Sequence, residues 1–186
     1  DGGIGLDEVF PDNATILGAD AVIMSVHKTL PAPTQTALLH LCSDWIDAAR
    51  VERFLGIYET SSPSYVLMAG IEESLQQAQK ARGRRMEEYV SLLRKFREQT
   101  GALTVIRVPD AKDFTEEEAF DYDIGKILIE TNGELSGKKL QEILLNRYGL
   151  QTEMSSGNYV LAMTSFMDTK EGFERLAAAL KGIDAA

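Results

Sequence analysis

The clearest indication of the fold is the segment Ala21-Val22-Ile23-Met24-Ser25-Val26-His27-Lys28-Thr29-Leu30-Pro31. Its first four residues form a continuous apolar run between turn residues, which is typical of a parallel-sheet strand covered on both faces. We therefore predict a buried strand over residues 20–26. The lysine directly after it is unusual, because lysine is almost never fully buried without a partner.

Lys28 is a candidate for covalent chemistry. A lysine amine that is withdrawn from water loses its proton more readily, and it can form a Schiff base with a carbonyl compound. The commonest carbonyl compound held in this way is pyridoxal 5'-phosphate (PLP). The alternative is an ordinary surface lysine in a loop. We favour the first interpretation and predict that Lys28 anchors this cofactor.

The sequence after the lysine alternates between strand and helix patterns. A loop over residues 29–35 leads to a short apolar strand over residues 36–41. A hydroxyl-rich turn then precedes a long helix from about residue 65 to residue 99, which Gly83 bends or divides. The first hundred residues therefore read as one domain with a long connecting helix at its end.

The pattern changes after residue 100 to that of a smaller unit. Strand patterns at residues 103–106 and 126–130 flank an acidic connection, and a helix over residues 137–148 precedes two short strands and a last helix. This order is typical of a compact α/β unit. We therefore expect an α/β fold with two domains, which span residues 1–100 and 101–186.

Charge and composition exclude several classes of protein. The formal net charge of −10 disfavours nucleic-acid binding, which needs a basic surface. No apolar run approaches the roughly 18 residues of a transmembrane helix, so we expect no membrane partner. The single Cys42 cannot form an internal disulfide, which favours a reducing, cytoplasmic compartment. Two histidines and one cysteine give no cluster with metal-ligand spacing, and we predict no metal site.

Three segments carry a resemblance to a known family. The first runs from Gly18 to Leu30 and continues with Thr34-Gln35 and Leu39-His40, and it is fairly specific. The second is the turn Thr60-Ser61-Ser62-Pro63-Ser64-Tyr65, and the third covers residues 126–180. They resemble the lysine segment, the Thr-Ser-Pro turn and the small domain of the Orn/Lys/Arg decarboxylases, which are PLP enzymes of the aspartate-aminotransferase-like class.

The resemblance implies an activity and an architecture. The activity is PLP-dependent decarboxylation of a basic amino acid (arginine, lysine or ornithine) to the amine and carbon dioxide. The architecture is the C-terminal part of a PLP-dependent transferase-like large domain plus a small α/β domain, in a homodimer or a higher homo-oligomer. Two alternatives stay open, because fold does not determine reaction type. They are another PLP enzyme of this fold, such as an aminotransferase, aldolase or lyase, and a non-catalytic fragment or interaction partner.

The resemblance also gives roles to individual residues. Lys28 is the expected cofactor anchor and, with His27, an expected catalytic group. Ser25 and His27 are expected to contact the cofactor phosphate, which favours charge-assisted hydrogen bonds. The hydroxyls of the next turn either reach the phosphate as well or cap the following helix. These hydroxyls belong to Thr60, Ser61 and Ser62.

Each of two carboxylates, Asp1 and Glu153, has two alternative roles. Family members are much longer than this chain, so we expect it to be part of a longer enzyme. Asp1 lies 27 positions before Lys28. It is either the aspartate that pairs with the pyridine nitrogen in the family or an unrelated residue. Glu153 is either a contact for a cationic substrate side chain or a solvated loop residue, and we favour the second.

Overall fold

The long helical pattern of the sequence is divided at Gly83, as predicted. In the computed structural model, which describes residues 5–133 and 135–186, one helix ends at Ala81 and the next begins at Arg84. Gly83 between them has a φ of +83°, which glycine adopts without a steric penalty. The chain separates at the same point into two compact units, Asp1–Arg82 and Gly83–Ala186.

In its described part, residues 5–82, the first unit contains a two-stranded hairpin and two helices. Strand β1 (Ala21–Ser25) pairs with β2 (Ala37–Leu41), and helices α1 (Ala48–Tyr58) and α2 (Tyr65–Ala81) follow. The pairing is antiparallel, with Ala21 opposite Leu41 and Ser25 opposite Ala37. Within the described residues β1 pairs only with β2, so the expected parallel neighbour is not among them and stays a prediction. A connection of eleven residues without a helix returns the chain beside itself, whereas parallel strands need a longer crossover.

The two faces of this hairpin differ in burial. Met24 and Val26 point to the inner face and are buried, whereas Ile23 on the outer face is 76% exposed. Successive side chains of a strand point to opposite faces, which gives this alternation. The expected burial on both faces is therefore not provided by the residues that the structure describes. An apolar outer face remains, with Leu39 and Leu41 beside Ile23.

The two helices of the first unit begin at side-chain caps. Asp47 accepts a hydrogen bond from Arg50 N (3.1 Å) at the start of α1, and Ser64 accepts one from Leu67 N (3.4 Å) at the start of α2. Such caps satisfy N–H groups that have no partner within the helix.

In the part of the chain that the structure describes, no helix combines the length and apolar character that crossing a membrane requires.

The second unit is a four-stranded antiparallel sheet with three helices. Its strands lie in the order β3-β4-β6-β5. In chain order the elements are α3 (Arg84–Thr100), β3 (Ile106–Arg107), β4 (Lys126–Thr131), α4 (Gly137–Tyr148), β5 (Met154–Ser156), β6 (Tyr159–Met163) and α5 (Lys170–Asp184). A short 3-10 turn at Ala111–Asp113 lies in the acidic connection.

Helix α3 belongs to the second unit, although the sequence placed it at the end of the first domain. Phe96 on α3 is buried, and its ring centroid lies 6.2 Å from that of Phe173 on α5. The sheet contributes Ile127, Ile129 and Val160 to the same core, all fully buried. The two compact units are divided in the chain between residues 82 and 83, whereas the predicted domain boundary after residue 100 stays a prediction.

Strand β3 is shorter than the predicted strand over residues 103–106. The Asp184 carboxylate, at the end of α5, accepts hydrogen bonds from the N–H groups of Thr104, Val105 and Ile106 at 2.7 to 3.1 Å. Consecutive N–H groups of an extended strand point in opposite directions and cannot converge on one acceptor. The backbone therefore bends around this carboxylate, and the strand begins only at Ile106.

We expect Asp184→Asn to weaken this attachment in a pH-dependent way. Burial raises the pKa of Asp184, but the N–H donors outweigh it and hold the pKa below its usual 3.8. Since the pKa is lower in the folded chain, the stabilisation is complete above the usual pKa and is lost as pH falls through the lowered value. The variant should lose about 1 kcal/mol of unfolding free energy at pH 7. Urea titrations at several pH values measure this.

The control for this substitution is Glu116→Gln. Glu116 is an exposed carboxylate of the acidic connection, so its replacement removes the same charge without touching β3. The deficit of Asp184→Asn should shrink below about pH 4, whereas Glu116→Gln should match the wild type throughout. A deficit of equal size at every pH would contradict the role given to the carboxylate.

Candidate functional site

The candidate site is the connection between β1 and β2, residues 26–36, which we call the lysine loop. Val26 N donates to Thr36 O at 3.0 Å, which extends the ladder of the hairpin by one pair. Leu30 N donates back to Val26 O at 3.0 Å, so residues 26–30 form a single tight turn. Lys28 lies in the middle of this turn, directly beyond the end of β1.

His27 has an orientation set by the backbone opposite. Its Nδ1 lies 2.8 Å from Thr36 O. Because a carbonyl oxygen only accepts hydrogen bonds, Nδ1 carries the proton and donates. The second ring nitrogen, Nε2, is then the one available for a ligand. It donates to an anion when the ring is protonated. The hairpin therefore orients the imidazole before any ligand arrives.

Lys28 is exposed, while the residues around it are anchored. Val26, Thr29 and Leu30 are all buried, with exposures of 7% or less. The backbone of the turn is thus held by its neighbours, and the lysine side chain extends from it. The prediction assumed that Lys28 is withdrawn from water, and the described residues do not provide that enclosure. Ser25, half-buried at the last position of β1, completes the group of three polar side chains.

The far side of the lysine loop contains a strained residue and a buried hydroxyl. The strained residue, Gln35, was quoted above only as part of the resemblance, and the hydroxyl of Thr36 was not singled out. Gln35 has a φ of +77°, a conformation that is costly for a residue with a Cβ. Thr36 is 2% exposed, and its Oγ1 donates to Pro33 O at 2.7 Å. The sequence signal that could have pointed to Thr36 was a polar residue between a Pro-rich loop and an apolar strand. Backbone strain of this kind is often found at functional sites.

The hydroxyl-rich turn lies between α1 and α2. Thr60 Oγ1 donates to Ser62 O at 3.3 Å and accepts from Ser62 N at 3.4 Å, so these residues close a small turn together with Ser61. The cap of α2 is Ser64, not one of these three. Capping therefore does not account for their hydroxyls. Their contact with a phosphate stays a prediction.

The two remaining carboxylates are separate from the lysine loop in the chain. Asp1 lies outside the described residues. Glu153 directly precedes β5, is exposed, and donates its N–H to Leu161 O at 2.9 Å. The structure thus gives Glu153 a backbone role beside the sheet of the second unit, and its contact with a substrate stays a prediction.

Comparison with known families identifies the chain's relatives. The family model described as the major domain of the Orn/Lys/Arg decarboxylases matches residues 8–126. The chain belongs to the Orn/Lys/Arg decarboxylase family. The matched region includes β1, the lysine loop, β2 and the hydroxyl-rich turn. The segment with the most specific resemblance therefore lies inside the match.

Individual relatives agree with this assignment. The chain is 24% identical over 176 residues to the arginine decarboxylase of Bacillus anthracis, a match that covers 94% of this chain and 36% of that protein. Among solved structures, the lysine decarboxylase LdcF of Francisella novicida matches with a TM-score of 0.68 and 19% identity, over 88% of this chain and 27% of that one. This chain therefore spans only about a third of the length of the curated relatives that it matches.

The fold extends beyond decarboxylases. An alanine–glyoxylate aminotransferase from Nostoc matches with a TM-score of 0.63 and 16% identity, over 94% of this chain and 50% of that one. The predicted α/β fold class is therefore confirmed, and the lysine decarboxylase and the aminotransferase share it.

Proposed function

We propose that this chain carries the cofactor lysine of a PLP-dependent enzyme that decarboxylates a basic amino acid. The supporting observation is that Ser25, the last residue of β1, and His27 and Lys28, at the start of the lysine loop, follow one another closely within the segment that matches the family. Arginine, lysine and ornithine are the candidate substrates. Arginine is tested first, because the curated relative from Bacillus anthracis is named arginine decarboxylase.

The donor groups of the lysine loop fit the chemistry of PLP, an aldehyde with an anionic phosphate. The aldehyde needs a primary amine, which Lys28 has. The phosphate needs hydrogen-bond donors, and charge-assisted donors are the strongest. His27 has already committed Nδ1 to Thr36 O, so its Nε2 faces the ligand and, when the ring is protonated, donates to a phosphate oxygen. The Ser25 hydroxyl is a second donor. The three side chains therefore suit both ends of the cofactor.

Each residue then has a distinct task in the proposed reaction. PLP, when bound, supplies an electron-withdrawing ring that stabilises the negative charge left on the alpha carbon when carbon dioxide leaves. Lys28 would hold the cofactor through Nζ, and the same atom, when not bound to the cofactor, would carry a proton to the alpha carbon of the substrate. Ser25 and His27 hold the phosphate and fix the cofactor in place. The rest of the enclosure comes from polypeptide other than the residues described.

We also propose a homodimer, located in the cytoplasm. Helix α1 supports the dimer, because none of its residues is buried although it carries Phe54, Leu55 and Ile57 on its surface. Apolar surface of this kind marks a contact region. Analytical ultracentrifugation should show a dimer. Phe54→Ser and Ile57→Ser together should shift it to monomer, and a monomeric wild type would contradict the proposal.

One experiment tests the central proposal. The full-length protein is incubated with PLP, reduced with borohydride and mapped by peptide mass. It is then supplied with arginine, lysine or ornithine labelled in the carboxyl group. A pyridoxyl group on Lys28 and labelled carbon dioxide from one substrate are the expected results. Labelling of Lys28 without carbon dioxide release would replace decarboxylation by another PLP reaction, and no label on Lys28 would reject the proposal.

We expect His27→Ala to weaken cofactor binding without changing the site of attachment. A hydrogen bond to a charged group contributes about 1.5 to 3 kcal/mol, so the Kd for PLP should rise at least about 10-fold. At saturating PLP, borohydride should still label Lys28. Titration followed by absorbance measures the affinity. The matched control is His40→Ala, which removes the other histidine, in β2, and should leave the Kd unchanged; equal weakening by both variants would contradict the assignment.

A further inference from the structure

Helix α2 approaches the lysine loop at Gly70. A Cβ added to this glycine would lie 2.5 Å from Cδ and 2.6 Å from Cγ of Pro33. Carbon atoms in contact normally stay about 3.5 to 4.0 Å apart, so even alanine does not fit unless Pro33 moves. The backbone of α2 and the ring of Pro33 are therefore in direct contact.

The backbone conformation at position 70 does not itself require a glycine. Gly70 lies within the 17-residue helix α2 and is absent from the glycines with positive φ. Glycine inside a helix costs about 0.5 to 1 kcal/mol relative to alanine. The close approach of Pro33 is the feature that gives the position a use.

Hydrogen bonds continue this contact to the residues beside Lys28. Pro33 O accepts from both N (3.3 Å) and Oγ1 (2.7 Å) of Thr36. Thr36 O in turn accepts from Val26 N at 3.0 Å and from His27 Nδ1 at 2.8 Å. Pro33 and Thr36 therefore link α2 to the two residues that directly precede Lys28.

The link is stiff at each step. The proline ring is closed onto the backbone nitrogen and cannot rotate away as a flexible side chain does. Thr36 is buried, and Gln35 between the two residues is already in a strained conformation. We therefore expect a displacement of Pro33 to shift Thr36, the next buried residue of the lysine loop.

We propose that Gly70 is a positioning residue for Lys28: the missing side chain lets α2 hold Pro33, and Pro33 sets the position of the lysine loop. The functional part of this inference rests on the proposed role of Lys28 as the cofactor anchor. The structural part concerns the loop itself and can be measured without the cofactor.

A double-mutant cycle tests the contact. Gly70→Ala introduces the clash, and Pro33→Ala removes Cγ and Cδ, which leaves only a Cβ at 4.0 Å. The control is Gly56→Ala in α1, where an added Cβ meets no atom of the described residues within 4 Å. Two quantities are measured in each variant: the rate at which PLP is trapped on Lys28 by borohydride, and hydrogen exchange of the Val26 amide.

Gly70→Ala should slow trapping on Lys28 by about 10-fold or more, since a misplacement of about 1 Å can cost a large rate factor. It should also speed exchange at Val26. The double variant should return both quantities to the values of Pro33→Ala, and Gly56→Ala should match the wild type. Residues that only pack would lower stability in Gly70→Ala but would leave the trapping rate of the folded protein unchanged.

The outcomes separate this inference from the proposed function. If the wild type is labelled on Lys28 and Gly70→Ala is labelled equally fast, the positioning role is overturned and the proposed function stands. If the wild type is not labelled, the proposed function fails, and Val26 exchange alone decides whether Gly70 holds the loop. If Gly70→Ala does not fold, Thr36→Val is measured in its place. This variant removes the hydrogen bond from Thr36 Oγ1 to Pro33 O and leaves helix α2 unchanged. An unchanged trapping rate in that variant overturns the inference.

Discussion

Lys28→Ala should abolish PLP attachment and lower decarboxylation at least about 1,000-fold, because the covalent anchor and the proton carrier are lost together. The side chain is exposed and the turn around it is held by buried neighbours. The substitution should therefore leave the unfolding free energy within about 0.5 kcal/mol of the wild type. The measurements are the absorbance of the cofactor, the release of labelled carbon dioxide and a urea titration.

The matched control is Lys80→Ala. Lys80 is exposed on α2 and is the other lysine of residues 1–82, so its loss removes the same charge from the same unit. Lys80→Ala should keep full cofactor attachment and turnover. Cofactor attachment that survives in Lys28→Ala, or is lost equally in Lys80→Ala, would contradict the assignment of the anchor.

Gly137→Ala should cause the largest loss of stability, about 3 kcal/mol, at the upper end of the usual cost of overpacking. Gly137 is buried at the first position of α4, and its N–H donates to Gly157 O at 2.8 Å. An added Cβ would overlap Tyr159 O and would lie 2.9 Å from Tyr159 N. These atoms belong to the backbone of β6, a central strand, so either the strand or the helix has to shift.

The control for this prediction is Gly172→Ala in the first turn of α5. Among the residues that the structure describes, an added Cβ there would meet only Thr169 Oγ1, at 3.8 Å, which is an ordinary contact. This variant should be neutral or slightly more stable, because alanine restricts the unfolded chain. Urea unfolding of both variants measures the difference. Equal stability of Gly137→Ala and the wild type would show that the packing of α4 against β6 is loose.

The parts of the fold that were predictable depend on local patterns. The break at Gly83 was predictable because glycine is the usual residue where φ is positive. The antiparallel pairing of β1 with β2 was not predictable, since an apolar run does not reveal which strand it pairs with. The assignment of α3 to the second unit also escaped prediction. Its apolar face shows that it packs against something, and only the fold shows that Phe96 meets Phe173.

The same distinction holds for the candidate site. The segment around Lys28 was recognisable because three chemically active side chains are close in sequence. The role of Thr36 and the contact between Gly70 and Pro33 were not recognisable in the same way. That contact joins residues that are 37 positions apart in the sequence. Nothing in the composition of a helix predicts which loop will lie against its glycine.

The antiparallel hairpin also bears on the order in which the protein folds. All backbone pairs of β1 with β2 join residues at most 20 positions apart, and contacts of short sequence separation form fastest. An isolated two-stranded hairpin is nevertheless marginal in water. We therefore expect the loop with Lys28 to form transiently while the chain is being synthesised. It should become permanent only when α2 has emerged from the ribosome and docked against Pro33.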